Sequence, residues 1–165
     1  MSIRLAESSD LPVIVDIYNQ AITAGHYTTD TKPIALEDRQ SWLAEHTKTK
    51  YPVIVFENKN TLKGFLSISA YRPGRHALRH TAEVSFYVDF DFQRQGAASL
   101  LLEHAINLCP SLEIKNLFAI IMETNSASAG LLNKFGFKQW GHLPDVADYS
   151  GDEIGQYYYG RRIEY

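Results

Sequence analysis

The chain has 165 residues, 16 of them Lys or Arg against 19 Asp or Glu, for a net charge of −3. With 45% apolar and 21% charged residues it can fill a core; it is neither a disordered chain nor one that lives on bulk phosphate attraction. No apolar run nears the ~20 residues that span a bilayer. Met1 to Glu7 shows no export signal, and a lone cysteine, Cys109, excludes an internal disulfide and a cysteine-built zinc site. One continuous domain over 1–165 is expected, cytoplasmic, with neither nucleic acid nor membrane as partner.

Ser9-Asp10-Leu11-Pro12 reads as a helix start, with a polar cap and a proline where its missing N–H costs nothing. Leu11, Ile14, Val15, Tyr18 and Ile22 then recur at helical spacing. A second helix is predicted over Leu36 to Glu45, with Leu36, Trp42 and Leu43 inward and Glu37, Asp38 and Arg39 outward. Tyr51 to Glu57 and Leu62 to Ala70, joined at Asn58-Lys59-Asn60, form a hairpin that Pro73 and Gly74 end. Thr81 to Asp89 is a third strand, with Val84, Phe86 and Val88 on one face and Glu83, Ser85 and Tyr87 on the other.

Ala98, Leu101, Leu102, Ala105, Ile106 and Cys109 mark a long amphipathic helix stopped by Pro110. Cys109 lies on its apolar face and reads as core rather than nucleophile. Leu117 to Met122 is a buried strand, and Asn125-Ser126 caps a short helix through Leu131, Leu132 and Phe135 that Gly136 terminates. Phe137 to His142 and Ile154 to Arg162 are the last two strands, and Tyr157 to Tyr159 alternate faces there. The order is α, α, β, β, β, α, β, α, β, β. Its strand–helix–strand unit over residues 81–122 needs a right-handed parallel crossover. The fold class is therefore α+β, with a mixed sheet rather than a doubly wound one.

The segment between the third strand and the long helix carries the chemistry. Gln93-Arg94-Gln95-Gly96-Ala97-Ala98-Ser99 is a polar turn with small residues where a helix presents unsatisfied N–H groups and partial positive charge. Such a turn fits a pyrophosphate, and Arg94 adds a full cation. Gly96 also fits simple close packing, and Arg94 a solvated surface charge. The turn is neither a dinucleotide fingerprint nor a P-loop.

Gln93 to Ala98 resembles the acetyl-coenzyme A pyrophosphate loop of the GNAT superfamily of N-acetyltransferases. Ile3-Arg4, Asp10-Leu11-Pro12, Ile17-Tyr18-Asn19, Tyr51-Pro52-Val53, Arg79-His80-Thr81-Ala82-Glu83, Asn125-Ser126-Ala127-Ser128, Phe135-Gly136-Phe137 and His142-Leu143-Pro144 are, in order, similar to landmarks of the phosphinothricin and methionine-sulfoximine acetyltransferase family. The resemblance implies a mostly antiparallel sheet of about six to seven strands with about four flanking helices. Two strands splay apart in a V between the third and fourth sheet positions. It further implies acetyl-coenzyme A as co-substrate, no metal, and a small-molecule amine as acceptor. Phe86, Tyr87 and Val88 would offer main-chain groups to the pantetheine arm, Arg94, Gln95, Gly96, Ala97, Ala98 and Ser99 would cradle the pyrophosphate, and Asn125 would bond the arm. On the residues alone Asn125 reads equally as a helix cap, and Tyr87 as a sheet-face aromatic.

Glu83 is a carboxylate set among Thr, Ala, Val, Ser, Phe and Tyr in its strand, either solvent-facing or functional on the residues alone; the resemblance makes it the catalytic base that takes a proton from the attacking amine. A main-chain N–H at Tyr87 or Val88 would stabilise the oxyanion. The family's general acid, a histidine four residues before Gly136, is here Leu132, so thiol departure is unaided, water-assisted, or served by Tyr149 or one of Tyr157 to Tyr159. Arg72 and Arg75, beside Pro73-Gly74, suit an acceptor with a carboxylate or phosphinate, and read equally as solvated loop arginines. The family's substrate loop is altered here at Tyr149 to Gly155, which together with Leu132 leaves a second reading: a coenzyme A-binding sensor without efficient chemistry. His76 and His80 flank a turn and show no metal-ligand spacing. A homodimer is expected as an option through the tyrosine-rich last strand.

Overall fold

The stripe from Leu11 to Ile22 is the buried side of helix α1 (Leu11–Ala24) in a computed structural model that describes residues 1–164. Pro12 stands in its first turn, as its missing donor allows. The other helices are α2 (Leu36–Glu45), α3 (Ala97–Leu108) and α4 (Ser126–Lys134). Each lies within a residue or so of where periodicity and capping residues put it.

Seven strands form one sheet: β1 (Ser2–Leu5), β2 (Val53–Asn58), β3 (Thr61–Ala70), β4 (Thr81–Val88), β5 (Asn116–Met122), β6 (Lys138–Asp148) and β7 (Glu153–Arg162). Their spatial order is β1-β2-β3-β4-β5-β7-β6, and every neighbouring pair is antiparallel except β4 with β5. The parallel pair is joined through α3, as the strand–helix–strand reading required. β1 has no counterpart in the sequence reading. It is four residues long and carries Arg4, whose guanidinium bonds both Asp10 oxygens at 2.7 and 2.8 Å and also Glu57 on β2. A charge inside so short a strand hides its period, and only the partners explain it. Because β1 adds an edge, β4 and β5 hold the fourth and fifth sheet positions rather than the third and fourth.

The two sheet faces bury separate clusters. Val84, Leu101, Leu102, Leu117, Ala119, Leu132 and Phe137 pack between the sheet and α3–α4. Ile14, Ile17, Tyr18, Ile22, Val55 and Phe65 pack under α1, with Trp42 and Leu43 of α2 against them. The alternation in β4 divides accordingly: Phe86 and Val88 join the first cluster and Tyr87 the second. No residue of α2 is fully buried, so its inward set is a half-covered edge.

Candidate active site

β4 and β5 are paired only at Thr81↔Asn116, Ala82↔Leu117 and Glu83↔Phe118. Beyond that point β4 stays with β3 as far as Gly64↔Val88, while β5 follows β7 as far as Met122↔Gln156. The strands therefore part in a V whose vertex is Glu83. A cavity of about 390 Å³ opens in the gap, lined by Ser85, Phe86, Tyr87 and Val88 from β4, by Ala119, Ile120 and Ile121 from β5, and by Arg94 and Gly96 to Ser99 at the start of α3.

The turn into α3 has the conformation an anion cradle needs. Arg94 and Gly96 both adopt positive φ, 60° and 87°. An added Cβ at Gly96 would meet nothing within 4 Å, so glycine serves backbone conformation here rather than close packing. The first N–H bonded back into the helix is that of Leu100, to the Gly96 carbonyl at 3.0 Å. Those of Ala97, Ala98 and Ser99 come too early for an intrahelical acceptor and face the cavity mouth with the positive end of the helix dipole. The Arg94 side chain forms no ion pair among the described residues.

Asn125 is a helix cap that also borders the cavity. Its Oδ1 accepts the Ser128 N–H at 3.1 Å as the cap of α4, and the residue also lines the cavity. Its amide Nδ2 makes no hydrogen bond within the described residues and is the group left for a ligand.

Glu83 is half-buried on the face of β4 that also carries Ser85 and Tyr87. Burial pushes its carboxyl above the ordinary carboxylate value, and no hydrogen bond among the described residues counters that. Its charge also reaches the phenols of Tyr87 and Tyr158, both raised chiefly by burial. Glu83 stands at the vertex beside Val84 and Ser85, and does not itself line the cavity.

The general-acid position is empty of chemistry. Leu132 is fully buried in the core under the sheet, and Leu131 and Ser128 face the cavity instead. The tyrosines offered as substitutes fall apart in space. Tyr149 donates its hydroxyl to the Thr28 carbonyl at 2.7 Å, Tyr159 is core, and Tyr157 packs on His142. The Glu83 charge acts on Tyr158.

Arg72 and Arg75 are exposed in the connection between β3 and β4, outside the cavity lining, with the Arg75 N–H donating to the Arg72 carbonyl at 3.2 Å. Cys109 is wholly buried, its thiol pushed up to about 12 by burial and donating to the Ala105 carbonyl, as a core residue would. His80 bonds the Glu113 carbonyl, and among the described residues no three of His, Cys, Asp and Glu gather as metal ligands. No described helix is long and apolar enough to cross a membrane.

The lining also takes residues that the sequence did not single out for the site. Ile17, Ala21 and Tyr27 come from α1 and the loop after it. Ile17 and Ala21 were legible only as part of a helix, and Tyr27 follows the helix end with no pattern of its own. Tyr27 is set there by an edge-on contact with Phe90, whose N–H donates to Gln20 at 2.9 Å.

The acetyltransferase (GNAT) family model matches residues 14–137, which includes the vertex, the cradle and the α4 cap. This chain belongs to the GNAT acetyltransferase family. YwnH of Bacillus subtilis is 37% identical over 164 residues, covering 99% of each chain. The L-methionine sulfoximine/L-methionine sulfone acetyltransferase of Pseudomonas aeruginosa is 32% identical over 151 residues, 91% of this chain and 87% of its own. Among solved structures, yncA from Salmonella typhimurium with its cofactor acetyl-CoA superposes with a TM-score of 0.94 at 25% identity, covering 100% of this chain and 95% of that one. In this GNAT protein the donor set fits an acyl-coenzyme A: free N–H groups and a cation for a diphosphate, and a gap between β4 and β5 with unpaired β4 main chain for an extended arm.

Proposed function

We propose that the chain transfers an acetyl group from acetyl-coenzyme A to the primary amine of a small molecule, an amino acid or amino-acid analogue, by direct attack in a ternary complex. The observation that carries this reading is the half-buried, unpartnered Glu83 at the vertex of the splay, one strand gap away from a cradle built of backbone N–H groups. The named activity of the Pseudomonas relative supports the choice of acceptor.

Acetyl-coenzyme A supplies an activated acyl carbon. Gly96 to Ser99 and Arg94 bind its diphosphate, and the main chain of Phe86, Tyr87 and Val88 aligns the arm, with Asn125 Nδ2 donating from the other side. Glu83, raised by burial, takes the proton that the acceptor's ammonium must lose before nitrogen attacks. A β4 N–H at Tyr87 or Val88 donates to the thioester carbonyl. With Leu132 in the core, the thiolate leaves unaided or takes a proton from water or Tyr158, its ordinary pKa of about 8.5 making it a tolerable leaving group.

The test is thiol release from acetyl-coenzyme A against a panel of amines, run for the wild type and Glu83→Gln. Turnover that collapses by about 10²–10⁴ in the variant, with coenzyme A affinity retained, supports the enzyme. The burial of Leu132 favours the second reading, a coenzyme A-binding sensor. Tight cofactor binding without release for any amine or peptide would establish that instead. Light scattering of the purified chain tests the homodimer.

A further inference from the structure

Arg39 was expected to point outward from α2, and it does not. Its guanidinium carbon lies 4.5 Å from the ring centre of Tyr18 on α1 and 4.8 Å from that of Trp42, between the two helices. Neither an ion pair nor a side-chain hydrogen bond occupies it among the described residues. By contrast Arg4 is engaged by Asp10 and Glu57, and Arg161 donates to the Phe135 carbonyl. Asp30, past Tyr18, is engaged by the Tyr18 hydroxyl. A half-buried guanidinium placed over two rings, its forked donors unspent, is available to a planar anion.

Its place relative to Glu83 follows from the register. Trp42 packs edge-on to Phe65 and His46 bonds Ser69 at 3.0 Å, and these two β3 residues are the cross-strand partners of Tyr87 and Glu83. Helix α2 therefore lies along the face on which Tyr87 and Glu83 stand. The charges of Arg39 and Glu83 both reach the Tyr87 phenol.

We infer that Arg39 is the specificity-determining residue for the acceptor, its guanidinium binding the α-carboxylate of an amino acid whose amine faces Glu83. This rests on the acetyl-transfer reading and goes beyond it by assigning the carboxylate to a position inside the helical layer rather than to the exposed Arg72 and Arg75.

The experiment compares L-methionine sulfone with the amine lacking its carboxylate, in the wild type, Arg39→Met, Arg39→Lys and the double variant Arg72→Ala/Arg75→Ala. Two quantities are read: kcat/KM for thiol release, and calorimetric affinity for each compound with coenzyme A bound. The wild type is expected to favour the carboxylate compound by roughly 10- to 100-fold, the size of a charged hydrogen-bond pair. Arg39→Met should bring that ratio near one, and Arg39→Lys should leave a fraction of it, because the charge stays while the fork is lost. A ratio that survives in Arg39→Met, or one that only the double variant erases, overturns the inference. Calorimetric discrimination that depends on Arg39 without any thiol release upholds the Arg39 assignment and rejects acetyl transfer. Equal affinity of the wild type for both compounds overturns the assignment even if thiol release is brisk.

Discussion

Replacing Gly96 by alanine isolates the backbone cradle from everything else at the site. At φ 87° a side chain costs about 1–2 kcal/mol, of which alanine recovers about 0.4–1 kcal/mol by restricting the unfolded chain. The added Cβ meets nothing within 4 Å, so no steric term enters, and the N–H groups themselves remain in the chain. The strain has two outlets. If the turn holds, stability falls by roughly 1 kcal/mol, a loss of about 2–4 °C in Tm for a chain of this length. If the turn relaxes to negative φ, Tm holds and the binding-competent population drops by a factor of about 5–30, weakening coenzyme A by the same factor. Differential scanning fluorimetry and calorimetric titration with coenzyme A read the two together. A variant that moves neither Tm nor Kd would show that the left-handed turn before α3 is not what grips the diphosphate.

Three further outcomes follow from burial and contact. Glu83 titrates above its ordinary value when folded, so in that window the folded chain holds a proton the unfolded chain has lost; the stability this gives is complete below the unfolded pKa and disappears as pH rises through the folded one. The Tm of Glu83→Gln, measured against wild type over pH 4 to 8, should therefore gain on it as pH rises, and the wild-type rate should climb over the same window; an advantage that shrinks with pH refutes the burial of the carboxylate. Leu132→Ala should cost about 2–5 kcal/mol in urea unfolding, and Leu132→His should destabilise as well without raising kcat, since the position faces the core and not the thiol. Gly160→Ala puts a Cβ 2.0 Å from the ring of the exposed Trp140, so the indole must move and its emission should change; an unchanged spectrum would contradict the packing of Trp140 across β7.

The local choices in this chain were legible before any fold was known. The spacing of Leu11 to Ile22 and of Ala98 to Cys109 states which helical face is apolar, the alternation of Glu83 to Val88 states which residues share a side of β4, and the small residues after Arg94 mark a turn that can admit an anion. Periodicity reports each residue's relation to its own element and nothing further. That β4 and β5 part after Glu83↔Phe118 is a matter of which partner each strand keeps, and no residue in either strand encodes it alone. The same holds for β1, whose Arg4 makes sense only beside Asp10 and Glu57, and for Leu132, whose inertness depends on the core closing over it. Arg39 is the sharpest case: its helical position reads as solvent-facing, and only the approach of α1, bringing the Tyr18 ring over it, turns a surface charge into a held and unspent one. Short-range pattern determines faces and turns because neighbours in sequence are always neighbours in space; cavities, registers and unpaired charges arise between distant segments, and so only the packed chain decides them.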